Sequence, residues 1–351
     1  MRTPRFRLAL LALLAAIATA CSTTTPPSTP TTPAKANATV YPLTITQPDG
    51  TTAVIKQRPT RVLMVDIPVF AGEELVALGV TPIGGETNPP ASTFGAGQYD
   101  PRGIPLSISD RLKDFTPTGT YSAPDLEAIV GLHPDLIVGY SGTKTANFQQ
   151  LQAIAPVANT ALQVAPPASA TGIERLSWYP AMRELAKILD RQQQFNDFVS
   201  KFEAAAATAR PILNGKTATI VVPANNLSQA QVYGPDYYGG VTLSYLGLTV
   251  PPIPSGGAPI KDSNGSAVNL SLERASELTA QYLLLAAFSP GVSDGFVSNP
   301  VVTQLDSVRE GRVILTGSDT PVHGFPSTGP LTQLKAIPML VQAIENAGSP
   351  H

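Results

Sequence analysis

The chain has 351 residues, a single cysteine, and 23 Lys and Arg against 25 Asp and Glu, for a formal charge of −2. That balance offers no basic surface for a nucleic acid, and one thiol cannot staple a secreted fold with disulfides. The first twenty residues are a targeting segment: Arg2, Arg5 and Arg7 form a basic start, residues 8–17 an apolar core, and Ala18-Thr19-Ala20 a small-residue cleavage site. The apolar run is too short to span a bilayer, which takes about 20 residues. Its removal takes the formal charge from −2 to −5, because it carries three arginines and no acid.

Cys21 follows the cleavage site directly, an arrangement that resembles the lipobox of bacterial lipoproteins, although Ala18 stands where such boxes usually have Leu. The resemblance implies that the thiol carries diacylglycerol, a palmitate-type membrane anchor on the extracytoplasmic face. Residues 21–39 then read as a flexible Thr/Pro tether.

Beyond the tether, residues 40–172 alternate strand-like and helix-like segments, the pattern of a parallel α/β lobe. Residues 62–65 read as a strand, 72–78 as a short helix, and 81–84 as the start of the next strand. Ser122 is expected to cap a helix that has Pro124 in its first turn, with Asp125 and Glu127 facing the positive end of its dipole. His133-Pro134-Asp135 closes that helix, and residues 136–138 form a buried strand. Residues 173–211 read as a linking segment. Apolar residues from Met182 to Phe202 recur at three- and four-residue spacings, which predicts one long helix over 177–210 with Pro180 in its first turn and Pro211 as its stop. At 1.5 Å per residue such a helix is about 45 Å long, a strut joining two lobes. Residues 212–351 form the second α/β lobe.

The two-lobe expectation rests on a repeat. Leu126-Glu127 followed by Leu132 and the strand 136–138 returns as Leu272-Glu273, Leu278 and the strand at 282–284. Leu78-Gly79 matches Leu246-Gly247, and Gln150-Leu151 matches Gln304-Leu305, in the same order. A Gly-, Pro- and Ser-rich stretch after Pro82 reads as a loop insertion in the first half. Two lobes imply a cleft, and the loops after the strands would line it. From the first lobe these loops and helix starts carry Phe70, Arg102, Arg111 and Tyr140; Trp178 would face the floor; from the second come Asn226, Tyr233, Tyr237, Tyr238, Phe288, His323 and Phe325. The cations are few, with Lys113 and Lys261 added to Arg102 and Arg111, which points to a weakly charged ligand. One loop histidine without a folded cysteine makes no metal site of its own. No nucleophile elbow and no Gly-rich phosphate loop after a strand is expected, so an enzyme is the weaker class.

The chain resembles the bacterial substrate-binding lipoproteins that feed iron-siderophore, haem and cobalamin ABC importers. The phrases that carry the resemblance are Arg58-Pro59-Thr60-Arg61-Val62, Ala77-Leu78-Gly79-Val80, Pro124-Asp125-Leu126-Glu127-Ala128-Ile129, Leu132-His133-Pro134-Asp135-Leu136-Ile137 and Gln150-Leu151-Gln152-Ala153-Ile154-Ala155-Pro156. In the second half Ala280-Gln281 replaces the usual acidic strand start. The resemblance implies two Rossmann-like lobes bridged by one long helix, the class III periplasmic-binding-protein architecture. It also implies a monomer that takes up a ferric siderophore as cargo, with no cofactor, and an ABC permease docked through Glu127 and Glu273. Haem or cobalamin as ligand, or a cell-envelope scaffold that kept the fold, are the alternatives. His323 lies where some relatives place an iron- or haem-contacting tyrosine.

Overall fold

The computed structural model describes residues 38–46, 50–65, 68–87, 99–120, 123–139, 147–159, 169–261, 263, 265–287, 289, 291–316 and 329–347. Cys21, the leader and the tether up to residue 37 lie outside them.

β1 (Leu43–Thr46) and β2 (Thr52–Ile55) form an antiparallel hairpin. Among the described residues, β3 (Val62–Met64), β4 (Gly84–Thr87), β5 (Thr116–Thr120), β6 (Ala123–Pro124), β7 (Leu136–Gly139) and β8 (Val157–Asn159) make a six-stranded sheet in the order β6-β5-β4-β3-β7-β8. Every neighbouring pair is parallel except β5 with β6. β3 and β7 are buried at every position, as strands covered by helices on both faces must be. The helices on this sheet are α1 (Pro68–Ala77), α2 (Leu126–Gly131) and α3 (Phe148–Ile154).

The bridging segment departs from the expected single helix over 177–210. It is a helical hairpin: α4 (Trp178–Ile188) and α5 (Gln192–Leu213) are separated at Leu189-Asp190-Arg191, where Asp190 has φ of 54°. Trp178 packs on Phe198 and Phe202 with ring centroids 5.3 and 5.1 Å apart, and Tyr179 on Phe195 at 5.1 Å, so α4 folds back along α5. One apolar stripe therefore served two helices facing each other. The reversal is held by residues remote in sequence, which a local pattern cannot report. The Tyr41 hydroxyl donates to the Ile188 carbonyl (2.7 Å), Thr39 Oγ1 to that of Lys187 (2.8 Å) and Arg58 Nε to that of Leu189 (3.3 Å), satisfying carbonyls that a helix end leaves open. The long bridge is α5 alone, 22 residues and about 33 Å. Pro211 does not stop it; it sits inside the last turn.

α5 leads into a second sheet. Among the described residues, β9 (Ala218–Pro223), β10 (Gln229–Tyr233), β11 (Ala258–Pro259), β12 (Ala267–Ser271), β13 (Tyr282–Leu285) and β14 (Val313–Leu315) follow the order β11-β12-β10-β9-β13-β14. β9, β13 and β14 are parallel, while β10 is antiparallel to both β9 and β12. The helices of this half are α6 (Tyr238–Tyr245), α7 (Val292–Val297), α8 (Asp306–Arg309) and α9 (Pro330–Asn346).

The repeated phrases are repeated joints. After α1, the Gly79 N–H donates to the Val76 carbonyl and Val80 N–H to Leu75; after α6, Gly247 donates to Ser244 and Leu248 to Leu243. Both are glycine-terminated caps, with φ of 73° at Gly79 and 100° at Gly247. The sequence difference at the second strand start also has a structural meaning. Asp135 accepts from Thr60 N (2.8 Å) and Arg61 N (2.8 Å), fastening β7 beside β3. Gln281 fastens β13 beside β9 in the same way, its Oε1 accepting from Thr217 N (3.1 Å) while its own N–H donates to Thr217 Oγ1 (2.8 Å). An amide thus replaces the carboxylate without losing the joint. The Leu-Glu phrase begins α2 in the first half and a 3-10 turn, Leu272–Glu277, in the second. α2 starts three residues later than the sequence suggested. Its cap is Asp125, whose Oδ1 accepts from Ala128 N at 3.0 Å; Pro124 lies in β6, and Ser122 falls outside the described residues.

At both capping glycines an added Cβ meets nothing closer than ordinary contact. Gly79→Ala and Gly247→Ala should therefore each cost about 1 kcal/mol from left-handed backbone strain alone. Urea unfolding of the single and double variants should show additive losses.

Candidate functional site

The two halves meet at the first turn of α9. Glu73, on α1 of the first half, is fully buried. Its Oε2 accepts from Thr332 N at 2.9 Å, its Oε1 accepts from the hydroxyls of Thr332 and Ser107, and Leu331 N is a further donor. α9 has no side-chain cap of its own, so a carboxylate 259 residues away supplies it. The neighbouring residue of that turn faces the other way. Gln333 Oε1 accepts from Trp178 Nε1 on α4 (3.2 Å) and from Thr242 Oγ1 on α6 (3.4 Å). One helical turn thereby ties α1, α4 and α6.

Glu73 and Glu74 are adjacent on α1 and both are buried, and their surroundings treat them differently. Burial holds the Glu73 carboxyl above the usual carboxylate range, and its four donors, which suit an anion, bring it only part of the way back. Glu74 is held well above the usual carboxylate range by burial and then by the charge of Glu73. The Tyr99 phenol lies close enough to feel the same charge; burial first and Glu73 second push it up to about 12.

Tyr233, Tyr237 and Tyr238 do come together. The rings of Tyr233 and Tyr237 stack with centroids 4.0 Å apart, and those of Tyr237 and Tyr238 lie 3.9 Å apart. The Tyr237 hydroxyl donates to that of Tyr238, and the Tyr233 hydroxyl to Gln231 Oε1 at 2.5 Å. Burial raises all three phenols, Tyr233 to about 12. They are neutral at physiological pH and so offer π surface and hydrogen bonds rather than phenolate. The group sits between the end of β10 and the start of α6, one turn before Thr242.

Other expected residues are placed differently. Trp178 faces no cleft floor: it is fully buried in the aromatic seam of α4 and α5. Arg102 is committed to its own loop. Its Nε and Nη2 bind Asp100 Oδ2 at 2.9 and 2.6 Å, and its Nη1 donates to the Leu112 carbonyl at 2.7 Å, because Asp100 two residues away neutralises it. That knot holds the segment bearing Ser107. The Asn226 side chain turns back onto Ser228 N (3.1 Å) as a turn-forming residue does. Arg111 is exposed, as are Lys113 and Lys261. Glu127 and Glu273 are both exposed, each in the first turn of its helix. Phe70 belongs to α1, with its side chain outside the described residues; Tyr140, Phe288, His323 and Phe325 lie outside them altogether. The sequence does spell Gly-x-Ser-x-Gly at Gly291–Gly295, but Ser293 is inside α7, several residues past β13, and not on a strand-to-helix elbow. The Glu73 cap was missed, since its partners are far apart in the chain; an acid pair within an apolar helix was the available sign. No helix among the described residues is long and apolar enough to cross a membrane.

Two α/β sheets joined through an α4–α5 bridge and locked at α9 define a bilobal binding-protein architecture. The profile of the periplasmic binding protein family matches residues 88–320, and the chain belongs to that family. The probable siderophore-binding lipoprotein YfiY of Bacillus subtilis is 25% identical over 209 residues, 59% of this chain; the chain spans 57% of that relative's length. The ferric enterobactin-binding periplasmic protein FepB of Escherichia coli is 23% identical over 314 residues, covering 87% of this chain and 93% of FepB. Among solved structures, Staphylococcus aureus SirA complexed with staphyloferrin B superposes with a TM-score of 0.65 at 21% identity, over 86% of this chain and 98% of SirA. The fold is shared with that protein throughout its length.

The raised Glu74 carboxyl has a stability consequence. The folded state keeps its proton after the unfolded chain has released it near 4.5. The resulting stabilisation is present below that pH and is lost as pH rises through the folded-state value. Relative to Glu74→Gln, the unaltered protein should lose stability as pH rises above about 4.5. Urea denaturation across that range measures it.

Proposed function

We propose that this chain is the substrate-binding component of an ABC importer for iron chelates, capturing a ferric siderophore between its two lobes and passing it on chemically unchanged. The observation that carries the reading is the FepB alignment, which runs through both halves and the bridge rather than through one lobe. Family membership and the superposition with a siderophore-binding structure support it. The proposed anchor is the Cys21 lipid with residues 21–39 as tether, placing the protein on the extracytoplasmic face of the membrane as a monomer.

The ligand surface we propose combines the tyrosine group at 233, 237 and 238 with the strand-end loops of both halves, including Tyr140, Phe288, His323 and Phe325. Stacked neutral phenols favour a ligand with flat or aryl surface and oxygen acceptors. The cation supply is thinner than the sequence implied, since Arg102 is neutralised by Asp100. That supports a weakly charged chelate over a highly anionic one.

Isothermal titration with ferrichrome, ferric enterobactin, ferric staphyloferrin B, haemin and cobalamin tests the reading. Saturable binding of a ferric siderophore, tightest for a weakly charged one, is expected. Binding of haemin or cobalamin alone would move the ligand class, and binding of none would favour an envelope scaffold. The permease contact is tested separately: Glu127→Ala with Glu273→Ala should leave ligand affinity within about twofold and abolish uptake by whole cells, because exposed charges steer docking more than they build the ligand site. Normal uptake by the double variant would refute the docking role.

A further inference from the structure

The buried carboxylate at the lobe junction is not a ligand group, and no part of the uptake reading uses it. Its geometry is nevertheless specific. Glu73 is the acceptor for four donors drawn from two separate parts of the chain: Ser107 in the first half, and Leu331 with both polar groups of Thr332 in the first turn of α9. The other side of that turn, at Gln333, is bonded to α4 and α6. A displacement of α9 relative to α1 must therefore strain the contacts of Trp178 and Thr242 as well. α6 also starts with Tyr238, four residues before Thr242, whose Oγ1 donates to the Tyr238 carbonyl at 3.1 Å. The chain of contacts runs from Glu73 through the α9 turn and Thr242 to the tyrosine group.

We propose that Glu73 is a positioning residue for ligand capture: its carboxylate, capping α9 from across the lobe junction, sets where the second half's tyrosine group stands relative to the first half. The proposal rests on the siderophore-binding reading for the ligand it invokes, but not for the latch itself. Two of its partners, the N–H groups of Thr332 and Leu331, can only donate, so an apolar side chain of similar size at this position leaves buried N–H groups unmet. The titratable groups that act on one another here are Glu73, Glu74 and Tyr99. Glu74 makes the natural control, being next in sequence, equally buried and held towards its neutral form, so its amide is a near-isostere of the state it occupies.

Two readouts on the full chain test the latch. Trp178 is the sole tryptophan and donates to Gln333, so its emission reports on the α9 turn without any ligand. In Glu73→Leu the emission should shift to the red, and affinity for whichever chelate of the panel the unaltered protein binds should fall about tenfold or more. Glu74→Gln should change neither. If Glu73→Leu does not fold, Ser107→Ala keeps the carboxylate, removes one donor and should show both changes in reduced form. An unshifted emission, or an affinity within about twofold of the unaltered protein when emission has shifted, overturns the proposal. If the unaltered protein binds no chelate, the uptake reading fails, and the Trp178 emission alone decides the latch.

Discussion

The structure depends on a carboxylate that is buried and still surrounded by donors. Removing Glu73 from water is expensive unless every lone pair is met, and the first turn of α9 together with Ser107 meets them. In return, α9 gains the N-terminal partner that its own sequence does not supply. The consequence is geometric. The last helix of the chain is registered against the first helix of the first sheet, and the α4–α5 hairpin is registered against both through Trp178 and Gln333. Apolar packing along this seam supplies most of the favourable energy but tolerates sliding; the hydrogen-bonded turn is what fixes one arrangement.

A second constraint acts on the other side of the molecule. The reversal at Asp190 leaves helix-end carbonyls open, and the segment from Thr39 to Arg58 closes them. Thr39 N also donates to Asp190 Oδ1 at 2.9 Å, so this segment stabilises the turn of the bridge. Short, firmly held bridge helices resist large hinge movements, which fits capture with little domain rotation.

The fold was readable to the extent that its causes are local. The buried strands at 62–64 and 136–139, the left-handed stops at Gly79 and Gly247, and the duplicated order of strand, helix and strand all follow from nearby residues. Gln281 stands where an acid is usual, yet an amide makes the same joint. Where the cause was distant, the reading failed. One apolar stripe cannot tell a 34-residue helix from a hairpin of two, because both present the same spacing; the difference lies in Tyr41 and Thr39, about 150 positions away. Candidate site residues divide in the same manner. The three tyrosines are close in sequence and were found as a group. Trp178 is occupied by Gln333, 155 positions away and invisible to a local pattern, whereas the Asp100 that neutralises Arg102 is only two residues away and was legible in the sequence.

The proposed capture of one ligand by both halves at once is tested most directly by hydrogen exchange of the full chain, with and without a saturating ferric siderophore. Simultaneous slowing at residues 99–113 of the first half and 233–242 of the second is expected. Slowing confined to one half, or none in the presence of every chelate tried, would contradict it.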